Sequence, residues 1–286
     1  MLHLLKLIPF VFILTAFLPL TADAAAPKPQ AVSFSTRDGW TIEGTYLPAK
    51  EEQTTVILLH DLNKDKSAFS ALQTDLTTAG IGYLAIDFRG HGKSQNKGGV
   101  RSFAREGVDN QFNKMTQDVQ AAINFLQQKK VAPEKITVIG VGLGANVAAK
   151  SAVLSEVGAL GLISPATNIR DVLVIPSMRL YKGDVLIAAG ASDKKGFLEA
   201  SVIRNVSFLT TGEGKVTFLT AYELTSHEML DKYLRPALVQ WIKTPHKPDI
   251  VPDVPAVLEE TDTNGLAIAP SATEEALTPS ILGGRL

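Results

Sequence analysis

The sequence predicts an α/β fold, with a doubly wound and mostly parallel sheet. Short runs of consecutive apolar residues, such as 54–60 and 184–189, are typical of strands that are buried on both faces of such a sheet. Between them lie longer stretches with the apolar spacing of a helix, such as 115–129. Strands that alternate with helices in this way form parallel sheets with right-handed crossover connections.

A local sequence pattern predicts each strand and helix along the chain. Residues 31–35 and 40–47 alternate apolar and polar around Asp38-Gly39, which predicts a hairpin. The later strands are predicted from solid apolar runs, and the helices from amphipathic or small-residue segments. After the hairpin, the predicted strands are 54–60, 82–88, 136–139, 158–164, 184–189 and 216–221. The predicted helices are 66–79, 115–129, 145–153, 197–203 and 228–242, and 98–113 is predicted as a surface loop.

Composition limits the classes of function. The chain has 286 residues, a formal net charge of −1 and no cysteine. A single domain over 31–243 is large enough for a substantial core. Balanced charge gives no support for nucleic-acid binding, and the absence of cysteine excludes disulfides, thiol catalysis and cysteine metal sites. No cofactor is expected.

The two ends of the chain differ from this domain. Residues 1–24 combine Lys6, an apolar run over 7–20 and an Ala22-Asp23-Ala24 cleavage site, which predicts a signal peptide and a secreted or periplasmic protein. The alternative is an uncleaved anchor, but a membrane span needs about 20 apolar residues. We therefore expect no stable membrane span after cleavage. Residues 25–30 are predicted as a linker, and 244–286 as a disordered, proline-rich acidic tail.

The stretch 135–150 carries the central motif. A predicted buried strand leads directly into Gly140-Val141-Gly142-Leu143-Gly144 and then into a helix of small residues. Strand, tight glycine turn and helix are the context of the nucleophile elbow, whose pattern is G-x-S-x-G. Here the middle residue is Gly142, which has no side chain and cannot act as a nucleophile. A phosphate-binding turn is the alternative, but this turn lies mid-chain and no acidic residue ends the next strand.

Three more motifs follow the same order as in a known family. They are Leu58-Leu59-His60-Asp61-Leu62 at one strand end, Asp87-Phe88-Arg89-Gly90-His91-Gly92-Lys93-Ser94 at the next, and Asp193 followed by His227. With these motifs, residues 32–243 resemble the α/β-hydrolase family, whose D-x-R-G-H-G-x-S turn the second motif closely matches. Residues 167–183 leave no room for a large lid, so the chain is similar to small dienelactone hydrolase-like and serine aminopeptidase-like members.

The resemblance implies a role for each site residue. Asp193 would be the triad acid and His227 the general base, with Gly142 at a vacant nucleophile position. The backbone amides of Leu62 and Leu143 would form the oxyanion hole, where Asp61 replaces the usual glycine and brings a carboxylate close to it. A helix-capping role for Asp193 and a vestigial role for His227 remain open alternatives.

The remaining polar residues are expected to be structural. The resemblance implies that His60, Asp61, Asp87, Arg89 and His91 shape the turns near the site, and no metal is expected. Ser164 and Ser226 are not expected to replace the missing serine, because neither is predicted to lie on a strained turn.

Together these observations predict an exported pseudohydrolase that binds a small-molecule ligand or a protein partner. Loss of a triad member leaves only weak residual catalysis. Two alternatives stay open. In one, His227 is held by Asp193 and activates water to hydrolyse small ester or acyl substrates. In the other, the chain is a variant of an active esterase or peptidase, in which Gly142→Ser restores hydrolysis.

Overall fold

The computed structural model describes residues 27–50, 53–221, 224 and 226–245, and of Ser226 and His227 it describes the backbone alone. The chain divides into two compact units, Met1–Pro252 and Asp253–Leu286, and every described residue belongs to the first. The predicted signal peptide lies outside the described residues, and so does the predicted tail beyond residue 245. No helix of the described part is long and apolar enough to cross a membrane.

The predicted α/β sheet is confirmed. Eight strands form one sheet in the order β1-β2-β4-β3-β5-β6-β9-β10, and β7 and β8 form a separate hairpin. Only the β1–β2 and β2–β4 pairs of the large sheet are antiparallel. The strands are β1 Gln30–Ser35, β2 Thr41–Leu47, β3 Thr55–Leu59, β4 Gly82–Ile86, β5 Ile136–Val141, β6 Ala159–Ile163, β7 Asn168–Ile169, β8 Val172–Leu173, β9 Asp184–Gly190 and β10 Val216–Ala221.

Helices cover both faces of the sheet. They are α1 Ser70–Thr78, α2 Gln111–Lys114, α3 Thr116–Gln128, α4 Leu143–Ala152, α5 Ile175–Met178, α6 Lys194–Thr211, α7 Ser226–Met229 and α8 Arg235–Lys243. Side chains of α3, α4 and α6 belong to one hydrophobic cluster, and those of α1 and α8 to another. In β3, Ile57 and Leu59 belong to the first cluster, whereas Val56 and Leu58 belong to the second. This alternation explains why all four residues from Val56 to Leu59 are apolar.

Two predicted helices have different limits in the structure. The helix predicted at 197–203 is the longer α6, because the side chain of Asp193 accepts a hydrogen bond from Gly196 N and starts the helix earlier. The single helix predicted at 228–242 is α7, a π-turn at Leu230–Leu234 and α8. Pro236 lacks an N–H and its ring crowds the carbonyl four residues earlier, so the regular α-helical pattern breaks there.

The loops that follow β4 and β6 at the carboxyl end of the sheet contain only short elements. The predicted loop 98–113 contains a 3₁₀ turn, Val100–Ser102, and the start of α2. Between β6 and β9 the chain forms only the β7–β8 hairpin and the one-turn α5, so this connection contains no large lid. In this architecture, ligands bind beyond the carboxyl ends of the strands.

Candidate functional site

The glycine turn has the predicted strained geometry. Gly142 lies between β5 and α4 with φ 54° and ψ −118°, a conformation that side chain-bearing residues rarely adopt. A Cβ atom on Gly140 would overlap with the carbonyl of Gly144, and one on Gly144 would overlap with the carbonyl of Leu59. The strand and the helix therefore pass too close for any other residue at these two positions, as the motif predicts.

Asp61 follows β3 and directs its carboxylate at this turn. Its Oδ1 accepts hydrogen bonds from Leu62 N at 2.7 Å and from Leu143 N at 2.8 Å. These are the two backbone amides that the sequence predicts for the oxyanion hole. A carboxylate oxygen of the protein itself thus lies between both donors, in charge-assisted hydrogen bonds.

The same carboxylate fills the space beside Gly142. A Cβ atom on Gly142 would lie 2.5 Å from Asp61 Oδ2 and still closer to Cγ and Oδ1. Real Cβ atoms do not make such contacts, so a side chain at position 142 would require the carboxylate of Asp61 to shift from the position it has here. Asp61 therefore occupies the volume where a residue at the centre of the turn would begin its side chain.

Two buried histidines support the loop that carries Asp61. His60 donates from Nδ1 to Asp61 O at 2.8 Å and accepts at Nε2 from Phe88 N at 3.1 Å. Burial lowers the pKa of His60 to about 4, so the ring is neutral at pH 7. Its centroid lies 5.0 Å from that of His91, whose Nδ1 donates to Arg89 O at 3.0 Å. Burial also lowers the pKa of His91.

Asp87 holds two loops together at the end of β4. Its carboxylate accepts hydrogen bonds from Lys66 N at 2.8 Å and from Lys93 N at 2.9 Å. It also forms an ion pair with the ammonium group of Lys66, which the sequence analysis did not identify. The motif around Asp87 gave no indication of this partner, because Lys66 follows a different strand.

Arg89 joins the first hairpin to α3. Its fully buried guanidinium pairs with Asp118 through Nη2 at 2.7 Å and with Asp38 through Nη1 at 2.7 Å. It lies 5.6 Å above the ring of Trp40. A planar guanidinium meets these directional contacts where a lysine could not. All of these contacts are to other parts of the scaffold.

Of the predicted acid and histidine, the structure describes the side chain of Asp193 only. Asp193 is exposed, and its Oδ1 caps α6 by accepting from Gly196 N at 3.0 Å. The triad role calls for a buried carboxylate, whereas this contact is that of the helix-capping alternative. The backbone of His227 lies in α7, but its side chain falls outside the described residues.

Ser164 differs from its prediction. It follows β6 with φ 49°, so it does lie on a strained turn, contrary to the sequence-based expectation. Its N–H donates to Ala188 O at 2.7 Å, which fixes this turn against β9. Among the described residues, no group of three or more histidine or acidic side chains is arranged to hold a metal ion.

Comparisons with known proteins agree on the scaffold. Three solved structures share the fold: the Pyrococcus furiosus esterase Pf2001 (TM-score 0.60, 19% identity, 77% of this chain and 94% of that chain), an Exiguobacterium antarcticum esterase (0.56, 17%, 75% and 100%) and an Anabaena variabilis dienelactone hydrolase (0.59, 14%, 77% and 97%). These likenesses show the α/β-hydrolase fold alone.

Sequence comparison gives the family. Two Mycobacterium tuberculosis proteins described as uncharacterized, from strains H37Rv and CDC 1551, are each 28% identical to this chain over 155 residues. The match covers 53% of this chain and 51% of theirs, so the chain spans about half the length of the curated relatives it matches. The family model described as Serine aminopeptidase, S33 (Hydrolase_4) matches residues 50–198, more than half of the chain. The chain therefore belongs to the Hydrolase_4 family of serine aminopeptidase-like α/β-hydrolases.

Proposed function

We propose that this protein is an exported pseudohydrolase. It keeps the hydrolase scaffold, has Gly142 where its relatives' fold places a nucleophile, and binds a small-molecule ligand or a protein partner at the carboxyl ends of the strands. The observation that carries the proposal is the contact of Asp61 Oδ1 with the amides of both Leu62 and Leu143.

The reason is electrostatic. Acyl transfer develops negative charge on the substrate's carbonyl oxygen, and the backbone donors stabilise it only if they are available. Here both donors already bind a carboxylate, and a second anion beside it would be repelled. Removing one such donor slows catalysis by about 10²–10³-fold, and this site also lacks the serine hydroxyl.

Export rests on the amino-terminal pattern of residues 1–24, with cleavage after Ala24. The mature chain then begins at Ala25 and functions in the periplasm or outside the cell. Mass measurement of the protein recovered from outside the cytoplasm tests this proposal. An intact leader on the recovered protein would contradict it and favour a membrane anchor.

The hydrolytic alternatives meet specific obstacles. A dyad enzyme needs the carboxylate of Asp193 on the imidazole of His227, whereas Asp193 is exposed and caps α6. Water activated by His227 would also attack a carbonyl next to the Asp61 carboxylate. The lost-serine alternative requires that a serine at 142 coexist with Asp61, whose carboxylate would have to shift to admit the Cβ of the serine.

The test is hydrolysis of p-nitrophenyl acetate by the mature chain, residues 25–286, beside His227→Ala. We expect both proteins to match the buffer rate. Turnover by the unmodified protein that His227→Ala abolishes would show a working base and overturn the proposal. The matched control is His246→Ala, which removes a histidine outside the predicted domain.

A further inference from the structure

A cavity lies at the amino end of β3, at the opposite end of the strand from Asp61. Its volume is about 370 Å³, within the range of about 300–1,000 Å³ that is typical of small-molecule pockets. We propose that this cavity binds a phosphate group, carried by a small polyol or sugar or present as the free anion. This site goes beyond the proposed function, because it lies apart from the cleft at the carboxyl ends of the strands.

A buried hydroxyl group without a partner lies at this cavity. Thr55, the first residue of β3, is fully buried and lines the cavity. Its Oγ1 has no hydrogen-bond partner among the described residues. Thr55 alternates with Ile57 and Leu59, which belong to the cluster that includes α3, so its side chain lies on the α3 side of the sheet. Most buried hydroxyl groups are hydrogen-bonded, so this one is available to a ligand that enters the cavity.

Lysines from two separate connections line the same cavity. Lys50 belongs to the connection between β2 and β3, whereas Lys129 and Lys130 follow the last residue of α3. All three residues are exposed, and none forms an ion pair with another described residue. Among the described residues that line the cavity, only Glu134 is acidic. The glutamates at 51–52 follow Lys50 in the sequence and lie outside the described residues. The described lining is therefore basic.

The end of α3 explains only part of this charge. Lysines near the carboxyl end of a helix offset the negative end of its dipole, which accounts for Lys129 and Lys130. The dipole does not account for Lys50, which lies on another connection, or for the unpaired hydroxyl of Thr55. Lys130 also has φ 69°, a backbone strain that a glycine would avoid. A bound anion explains all of these features together.

Aromatic rings restrain one of the ammonium groups. Lys129 Nζ lies 5.5 Å from the centroid of the Phe125 ring. That ring packs edge to face against Tyr46, with centroids 5.4 Å apart, and Tyr46 itself lines the cavity. The cation–π contact therefore holds the Lys129 ammonium group near the wall of the cavity.

The donor groups suit a phosphate better than a carboxylate. Lysine binds phosphate as a compact point charge, whereas a planar carboxylate is best matched by the fork of an arginine. The described lining contains no arginine. A phosphomonoester carries a charge of about −1.5 to −2 at pH 7 and three acceptor oxygens. One oxygen accepts from Thr55 Oγ1 and the others accept from the lysines, while a hydroxyl group of the polyol donates to Glu134.

Isothermal titration calorimetry of the mature chain at pH 8 tests the site. The ligands are glycerol 3-phosphate, inorganic phosphate and glycerate, in a phosphate-free buffer of low ionic strength. We expect one site per chain for both phosphates, weakened by added NaCl through screening, and no measurable binding of glycerate. Tighter binding of glycerol 3-phosphate assigns the site to phosphomonoesters, and equal binding of the two assigns it to the free anion.

Two variants test the site independently. Thr55→Val removes the hydroxyl group and should weaken phosphate binding by about tenfold. Lys50→Gln/Lys130→Gln removes two ammonium groups and should weaken it by about tenfold or more. The matched control, Lys194→Gln/Lys243→Gln, removes the same charge from exposed lysines of α6 and α8 outside the cavity. The control should bind phosphate as the unmodified protein does.

Three results would overturn the inference. They are no binding of either phosphate at millimolar concentrations, binding of glycerate as tight as that of glycerol 3-phosphate, and equal weakening by the two lysine pairs. Because Lys50 and Lys130 are exposed, their substitution keeps the test valid even if Thr55→Val folds poorly. The outcome is separable from the proposed function, which hydrolysis of p-nitrophenyl acetate tests at the other end of the sheet.

Discussion

Asp61 Oδ1 lies 2.8 Å from the backbone nitrogen of Leu143, the first residue of α4, and so joins the end of β3 to the start of that helix. The positive end of the helix dipole favours an anion at this place. A Cβ on Gly142 would overlap with the carboxylate in this position. The two departures from the hydrolase pattern, Asp at 61 and Gly at 142, therefore form one structural unit.

The first prediction concerns the stability of this unit. We expect Gly142→Ala to lower the free energy of unfolding by about 1–3 kcal/mol, from the positive φ and the overlap with Asp61. In an Asp61→Gly background the overlap is absent, so the loss should shrink by at least about 0.5 kcal/mol, while the part due to the positive φ remains. Urea denaturation of the two single variants and the double variant measures this coupling.

Gly107→Ala is the matched control for that cycle. Gly107 has φ 104°, but a Cβ there would meet nothing within 4 Å. Its substitution should lower stability through backbone strain alone and by the same amount in both backgrounds. If Gly142→Ala behaves in the same way, the carboxylate and the glycine are not coupled.

The second prediction concerns pH. The pKa of His60 is about 4 in the folded protein, below its ordinary value of 6.5. The unfolded chain therefore binds the proton first, and stability that is fully present above pH 6.5 is lost as pH falls towards 4. This gap corresponds to about 3 kcal/mol. Urea unfolding at pH 7 and pH 5 should show a smaller pH dependence for His60→Gln, and an unchanged dependence would contradict the assignment.

The third prediction concerns the buried Arg89 cluster. Arg89→Met leaves Asp118 buried without its counter-ion, which should lower the free energy of unfolding by about 3–5 kcal/mol. The exposed Arg101→Met should change it by less than about 0.5 kcal/mol. Thermal and urea unfolding compare the two. Equal effects would mean that the ion pairs to Asp118 and Asp38 contribute no stability.

The fourth prediction concerns Asp193. Its side chain caps α6, so Asp193→Ala should lower the free energy of unfolding by about 1 kcal/mol, while Asp193→Asn keeps an acceptor and should retain stability. Urea unfolding of both variants tests the cap. If Asp193→Asn is as destabilised as Asp193→Ala, the charge rather than the cap is what the fold needs.

Much of this protein was predictable from local sequence patterns. The runs of apolar residues predicted the sheet, because strands that are buried on both faces are mostly apolar. The glycines of the turn predicted the close approach of β5 and α4. The ends of the helices were harder to predict from the sequence. The end of α6 and the break at Pro236 depend on caps and backbone geometry that apolar spacing does not encode.

The sequence predicted which residues lie at the site, but it did not predict the contacts that they make. The sequence placed Asp61 beside the predicted oxyanion hole, yet the hydrogen bond to Leu143 joins residues that are 82 positions apart. Likewise, the local sequence indicates neither the positive φ of Ser164 nor the ion pair of Lys66 with Asp87, which joins residues that follow two different strands. The sequence did indicate the site through Asp61 and Gly142, two residues that depart from the hydrolase pattern and follow the neighbouring strands β3 and β5.

The most direct test of the central claim is hydrolysis of p-nitrophenyl acetate by Gly142→Ser and by Asp61→Gly/Gly142→Ser, each in the mature chain. The single variant adds a hydroxyl and keeps the Asp61 carboxylate beside the amides, although that carboxylate has to shift to admit the new Cβ. The double variant removes the carboxylate and frees both donors. We predict that the single variant stays at the buffer rate and that the double variant is faster by about 10²-fold or more. Hydrolysis by Gly142→Ser alone at the rate of the double variant would contradict the claim that Asp61 occupies the site.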